Sequence, residues 1–260
     1  MDNTLLVFIG MFAAICGSLV GLGGGFIIVP SLAILYNFPV SNIVGTSMAV
    51  LVFSSISSTL VFAKQKRIDY KSGALFALAM IPGSILGAWI ADFITSKAFF
   101  ISFGLFMLLM AISLLLKPSK SFSIKPTTTR TIVDSTGKEY SYSFHLQVGT
   151  FIAFLVGFLS SLFGIGGGSV MVPTMVLLLT FPVHIATATS SFFILITAVI
   201  GSISHMVFDH ILWEKVIFLA LGSIIGGHLG AKLAAKVPEK TILGVLSTCL
   251  IVVAIRLMFN

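Results

Sequence analysis

The sequence predicts an all-α polytopic membrane protein made of two inverted-topology repeats, each a glycine-broken helical hairpin followed by three transmembrane helices. Three observations carry this. Of 260 residues, 57% are hydrophobic and 9% are charged, with mean hydropathy +1.14, which is more apolar surface than one soluble core buries. Apolar stretches recur from Leu5 to Phe259, each about 20 residues and so able to cross ~30 Å of hydrocarbon at ~1.5 Å per residue. Finally, the chain matches itself without gaps when Gly21 is laid on Gly164, from Gly21 to Leu116, with about a quarter of the aligned pairs identical. The identities cluster at Gly, Pro, Thr and Ser, whereas shared apolar composition would scatter them.

Lipid cannot satisfy backbone N–H and C=O groups, and runs such as Ala98 to Leu116 lack the alternation of barrel strands, so the spans are helices. The first repeat occupies 1–116, a polar linker 117–143 and the second repeat 144–260. Within the first, 42–63, 71–92 and 98–116 read as plain spans. Three spans leave 4–36 and its partner 146–180 to begin and end on one side, as a bent or re-entrant hairpin. The glycine runs at 21–25 and 164–168 fall where each hairpin turns, and glycine's freedom at positive φ permits such a turn. The linker carries Pro118, Pro126 and five cations against Asp134 and Glu139. Its residues Thr131 to Val133 and Lys138 to Ser143, around Asp134-Ser135-Thr136-Gly137, read as a β-hairpin.

The net charge of +7 sits in short connections, where the bias toward cytoplasmic loops puts it, so no nucleic-acid partner is expected. Lys64, Lys66, Arg67 and Lys71, like the linker, are placed inside the cell; Asp92 and Lys97 and both termini fall outside. The sign pattern reverses in the second half, where Asp209, His210, Glu214 and Lys215 are nearly neutral and Lys232, Lys236 and Lys240 are basic. The expected location is therefore the cell membrane, with the lipid bilayer as surroundings. The N-terminal run has Asp2 in place of a basic leader and a repeat partner in mid-chain, so it reads as structural and uncleaved. Cys16 and Cys249 lie in apolar runs without Cys or His partners in motif spacing. No phosphate loop, zinc-binding His-Glu-x-x-His pair or serine nucleophile elbow occurs. No enzyme activity, cofactor or metal is expected.

Broken helices at membrane depth are tolerated where they face protein or a water-filled cavity, so two in equivalent positions mark a candidate substrate site. A half-helix beginning after each glycine run would present unsatisfied N–H groups and a positive dipole end, suited to a small oxyanion. The candidate substrate-binding residues are Gly23, Gly24, Gly25, Thr46 and Ser47, with Gly166, Gly167, Gly168, Thr189 and Ser190. Hydroxyls at these Thr-Ser pairs can donate to an anion or cap the next helix; Ser54, Ser55, Ser57, Ser58, Thr197, Ser202 and Ser204 can equally bond their own helix or a neighbour. Gly83-x-x-x-Gly87 and Gly226-x-x-x-Gly230 read as close-packing faces. His228 lies within a span and is the candidate for proton coupling, although its repeat partner is Ile85; His205 lies nearer the outer end of its helix. No Asp or Glu falls mid-span.

The duplicated run Gly21-Leu22-Gly23-Gly24-Gly25-Phe26-Ile27-Ile28-Val29-Pro30, its copy Gly164 to Pro173, the two Thr-Ser pairs and the Gly83 to Ala88 block resemble the TauE/SafE family of sulfite exporters. The resemblance covers nearly the whole chain outside the linker. It implies a permease whose cargo is sulfite, a sulfonate or another small organosulfur or carboxylate anion, moved without ATP. The residues by themselves support a small-solute transporter and leave open an anion channel, a non-transporting scaffold or accessory subunit, and assembly as a homo-oligomer.

Overall fold

The computed structural model describes residues 3–36, 38–116 and 126–258. The linker segment 117–125 lies outside them, as do Asp2, Phe259 and the side chains of Asp92 and Cys249. The first half contains α1 (Asn3–Val20), α2 (Gly25–Leu35), α3 (Val40–Lys64), α4 (Tyr70–Ile90) and α5 (Ser96–Leu116). A two-stranded sheet follows, β1 (Thr128–Val133) and β2 (Glu139–Phe144), and then α6 (Leu146–Phe163), α7 (Gly168–Leu177), α8 (Val183–Val207), α9 (Trp213–Ala234) and α10 (Glu239–Met258). Helix starts keep the register that lays Gly21 on Gly164: Asn3 matches Leu146, Gly25 matches Gly168, Val40 matches Val183, Tyr70 matches Trp213 and Ser96 matches Glu239. Six of the helices, α1, α3, α4, α6, α8 and α9, are long and apolar enough to span a membrane, and the chain is an all-α polytopic membrane protein.

The hairpins take their shape from glycine. Gly21, Gly23 and Gly24 have φ of 81°, 81° and 106°, and Gly164, Gly166 and Gly167 have φ of 69°, 74° and 71°, values that a Cβ disfavours. The first arm of each hairpin is a helix of 18 residues and the second a half-helix of 11 or 10 residues, so the return covers only about 15 Å. The chain folds back tightly: a Cβ on Gly24 would lie 2.8 Å from the Ala13 carbonyl oxygen.

The Phe-Pro corners Phe38-Pro39 and Phe181-Pro182 then start α3 and α8 with extended prolines at their N-caps. These two long helices run antiparallel, because Thr46 near the start of α3 touches Leu212 just beyond α8, and Thr189 near the start of α8 touches Asp69 just beyond α3. Around this pair, α1 packs on α9 and α4 on α6, reciprocal contacts between the halves. The small faces Gly83/Gly87 and Gly226/Gly230 sit in these two crossings, against carbonyls of Phe154 and Phe158 and of Met11 and Ile15, so each crossing is closed backbone to backbone. Apolar side chains such as Leu78, Trp89, Leu221 and Ile225 remain on the outside, the faces that lipid covers.

The strands pair antiparallel from Thr128↔Phe144 to Val133↔Glu139. The first strand begins at Thr128 rather than at Thr131 as the sequence suggested, because Thr128, Thr129 and Arg130 continue the ladder against Tyr142, Ser143 and Phe144. Asp134 closes the turn by accepting from the Thr136 and Lys138 amides at 2.8 and 3.1 Å.

Candidate functional site

The structure brings the two glycine runs together. A Cβ on Gly25 would collide with the Gly164 carbonyl, and one on Gly168 with the Gly21 carbonyl. Each tip is thus seated on the other by an exchanged pair of contacts, Gly25 on Gly164 and Gly168 on Gly21. Leu51 and Ile194, which the repeat pairs with each other, flank both tips: Gly23 and Gly166 each have both side chains within reach of an added Cβ. Leu51 and Ile194 are at the midpoints of α3 and α8, which sets the meeting point at mid-depth of the bundle. Residues 21–26 and 160–175 are all buried.

The half-helices α2 and α7 begin here. Their N-cap residues, Gly24 and Gly167, offer no side-chain cap, so the first amides of each helix have no capping acceptor and carry the positive end of the dipole. An acceptor-rich anion matches that end chemically.

The Thr-Ser pairs are fully buried and tie one half to the other. Ser47 donates to the Gly164 carbonyl and Ser190 to the Gly21 carbonyl, both at 2.7 Å. Thr46 accepts from the Leu212 amide and Thr189 from the Asp69 amide, both at 3.0 Å. Each threonine therefore satisfies an orphan amide ahead of the following helix while keeping its own O–H as a donor. Ser54 adds a 2.6 Å bond to the Gly23 carbonyl, and Ser57 reaches the Ile224 carbonyl of α9 at 2.7 Å. Ser55, Ser58, Thr197 and Ser204 instead return to carbonyls of their own helices, the usual arrangement for a hydroxyl in a membrane helix.

His228 is on the exposed side of α9 with Ile224, Ile225 and Leu229, away from the tips. His205 is fully buried; its Nε2 is 3.2 Å from the Ser161 carbonyl and its Nδ1 is 3.0 Å from Nδ1 of His210. Spacing could not show this, because the partner is a carbonyl of α6, 44 residues away in the chain.

At the other end of the bundle the β-hairpin docks on the α3–α4 connection. Arg67 pairs with Asp134 at 2.9 Å, both largely buried. Asp69 accepts from Tyr142 at 2.8 Å and from the Ser72 amide at 3.0 Å, and Arg130 stands 3.9 Å from it. Burial alone would raise the Asp134 carboxyl, but bonds from Thr136, Arg67 and Lys138 outweigh it and lower it to about 2. Burial and the neighbouring Asp69 charge push the Tyr142 phenol well above its ordinary range. The sequence showed the hairpin and the basic connection separately; their pairing is a long-range contact that no local pattern encodes.

Comparison with known proteins agrees with this architecture. The family described as "Sulfite exporter TauE/SafE" matches residues 6–257. The chain is 42% identical to the "Probable membrane transporter protein YunE" of Bacillus subtilis, covering 100% of this chain and 98% of that one. It is 29% identical to a "Probable membrane transporter protein" of Methanocaldococcus jannaschii, covering 95% and 91% of the two chains, and 30% identical to another from a Sinorhizobium species, covering 98% and 92%. No solved structure gives a significant match. With a family match across nearly its full length and relatives that align end to end, the chain belongs to the sulfite exporter TauE/SafE family.

Proposed function

We propose that the chain is a secondary transporter of a small anion, namely sulfite, a sulfonate or a related organosulfur anion, working by alternating access around the paired half-helices. The observation that carries this reading is the reciprocal meeting of two uncapped half-helix N-termini at mid-depth. The family description names sulfite export, and the relatives are named as membrane transporters, which supports the class of cargo and activity.

In this mechanism the halves are inverted repeats, a reading supported by the antiparallel α3 and α8 and by the exchange of equivalent contacts between halves. Amides at Gly24 and Gly25 and at Gly166, Gly167 and Gly168, with the hydroxyls of Thr46 and Thr189, hold the anion, while Ser47 and Ser190 hold the tips together by donating to the Gly164 and Gly21 carbonyls and the Gly23 amide is held by the Gly17 carbonyl. With the tips in mutual contact the site is closed; rocking of one half on the other parts them toward one side and then the other. His228 faces outward and takes no part. The basic 64–71 connection and the hairpin docked on it lie on the cytoplasmic side of the cell membrane.

Thermal unfolding of purified protein titrated with sulfite, sulfate, taurine, sulfoacetate and acetate tests the cargo class. A bound anion stabilises by about 2.7 kcal/mol at 100 times its Kd, so saturable stabilisation by the sulfur anions beyond chloride is expected. Equal response to every salt, or none, contradicts the reading.

A further inference from the structure

Buried hydroxyls that find no partner point to something they bind in another state, since leaving a polar group unpaired in an apolar interior is costly. Among the described residues, the fully buried oxygens without a hydrogen-bond partner include Ser18, Thr59, Ser160, Ser161, Ser169, Thr187 and Ser202. Four of these fall into two repeat-related pairs in the register that lays Gly21 on Gly164, Ser18 with Ser161 and Thr59 with Ser202. The other three have no hydroxyl mate. Ser160, Ser169 and Thr187 correspond to Gly17, Phe26 and Val44 in the first half.

All three residues lie close to the start of α7. Ser169 is the second residue of α7. Ser160 Oγ lies 3.5 Å from where a Cβ on Gly167, the N-cap of α7, would sit. Across the tip, the Gly21 carbonyl abuts Gly168, and the Thr187 Cα would lie 2.8 Å from a Cβ on that same Gly21. Ser160, Ser169 and Thr187 are 0%, 0% and 1% exposed as residues. At the equivalent start of α2 the same positions offer no side-chain donor.

We infer that the anion site is asymmetric: at the N-terminus of α7, Ser160, Ser169 and Thr187 add hydroxyl donors to the substrate that the start of α2 lacks. This rests on the transport reading above and narrows the substrate. Three hydroxyl donors join the Gly168 and Ser169 amides, which as the first of a helix have no acceptor within it. That donor set suits an acceptor-only anion with three or more oxygens, such as sulfite or a sulfonate. A carboxylate has two oxygens and leaves donors unpaired, and buried donors without partners discriminate strongly.

The test measures radiolabelled sulfite uptake into proteoliposomes and sulfite-induced thermal stabilisation for wild type, Ser160→Ala, Ser169→Ala, Thr187→Val and the control Ser202→Ala. Each site variant is expected to raise the KM for sulfite roughly tenfold, the effect of one hydrogen bond to a charged group. Its ligand-free Tm should stay level or rise, because an unpaired buried hydroxyl has been removed. Ser160→Thr and Ser169→Thr, which keep the hydroxyl, should retain most of the affinity, and Ser202→Ala should leave KM unchanged. Wild-type KM in all three site variants, alongside saturable wild-type flux, overturns the asymmetric site and leaves the transport reading standing. A ligand-free Tm lowered by several degrees in the alanine variants assigns the hydroxyls to structure and also overturns it. Absence of both flux and stabilisation in the wild type refutes the transport reading itself.

Discussion

Placing a methyl group at the meeting of the two tips tests whether they are packed as closely as the structure shows. In Gly25→Ala the new Cβ falls on the Gly164 carbonyl and 2.9 Å from the Ile165 Cα; in Gly168→Ala it falls on the Gly21 carbonyl and 2.9 Å from the Leu22 Cα. Carbon atoms in contact sit about 3.5–4 Å apart, and the obstacles are backbone atoms that cannot rotate aside. The tips must therefore separate by about 1 Å, at an overpacking cost of roughly 1–3 kcal/mol per substitution. At about 2–4 °C per kcal/mol for chains approaching this size, each variant should melt about 2–12 °C below wild type. The double variant should lose less than the sum, because one separation of the tips accommodates both methyls and neighbouring sites do not add. Gly244→Ala in α10 is the control: nothing lies within 4 Å of its Cβ, so the helix propensity of Ala should leave stability level or raise it by up to about 1 kcal/mol. The assay is intrinsic fluorescence against temperature in one detergent. If Gly25→Ala and Gly168→Ala both melt at the same temperature as Gly244→Ala, the tips do not meet as described and the reciprocal contact is refuted.

Three further outcomes are expected. Thr46→Val and Thr189→Val leave the Leu212 and Asp69 amides without their hydroxyl acceptors, costing about 1–3 kcal/mol each; Thr→Ser at either position should recover most of the lost Tm, and failure of serine to rescue would show that the methyl was what mattered. Arg67→Met leaves the Asp134 carboxylate buried without its ion-pair partner, a loss of about 3–5 kcal/mol, whereas Arg67→Met with Asp134→Leu should recover part of it; limited proteolysis within the hairpin reads its docking. Asp134 titrates at about 2 in the folded protein against an ordinary 3.8, so its stabilising effect is complete above about pH 4 and disappears as pH falls through about 2; hairpin protection in wild type that stays constant from pH 5 to pH 2 would contradict the assigned bonds.

Much of this was legible in the sequence because glycine, proline and hydroxyl residues answer to backbone geometry that repeats. Gly21, Gly23 and Gly24 and their copies stand at positive φ, and no other residue type serves there as readily, so the duplication remains visible through otherwise interchangeable apolar positions. The Phe-Pro corners and the helix starts at Val40 and Val183 follow for the same reason. What Thr46 and Ser47 touch was not legible: their partners, Leu212 and Gly164, lie in the other half of the chain, and one sequence carries no information about contacts at that range. Nor could helix faces be read where apolar residues surround the helix. The sequence put His228 deeper in its span than His205, yet His228 faces outward and His205 is the one buried, on the Ser161 carbonyl. Ser160 and Ser169 were not legible for a different reason: the repeat singles out residues with an equivalent in the other half, and their mates are Gly17 and Phe26.

Whether an anion crosses at the paired tips by alternating access, as proposed, is measured most directly by counterflow. Proteoliposomes preloaded with unlabelled sulfite are diluted into radiolabelled sulfite, with taurine, sulfoacetate, sulfate and acetate as external competitors. Alternating access predicts saturable uptake that preloading accelerates, and inhibition by sulfur oxyanions more than by acetate. Uptake that rises linearly with concentration and ignores preloading would identify a channel, and no uptake above protein-free vesicles, in protein shown to be folded, would contradict transport of sulfite altogether.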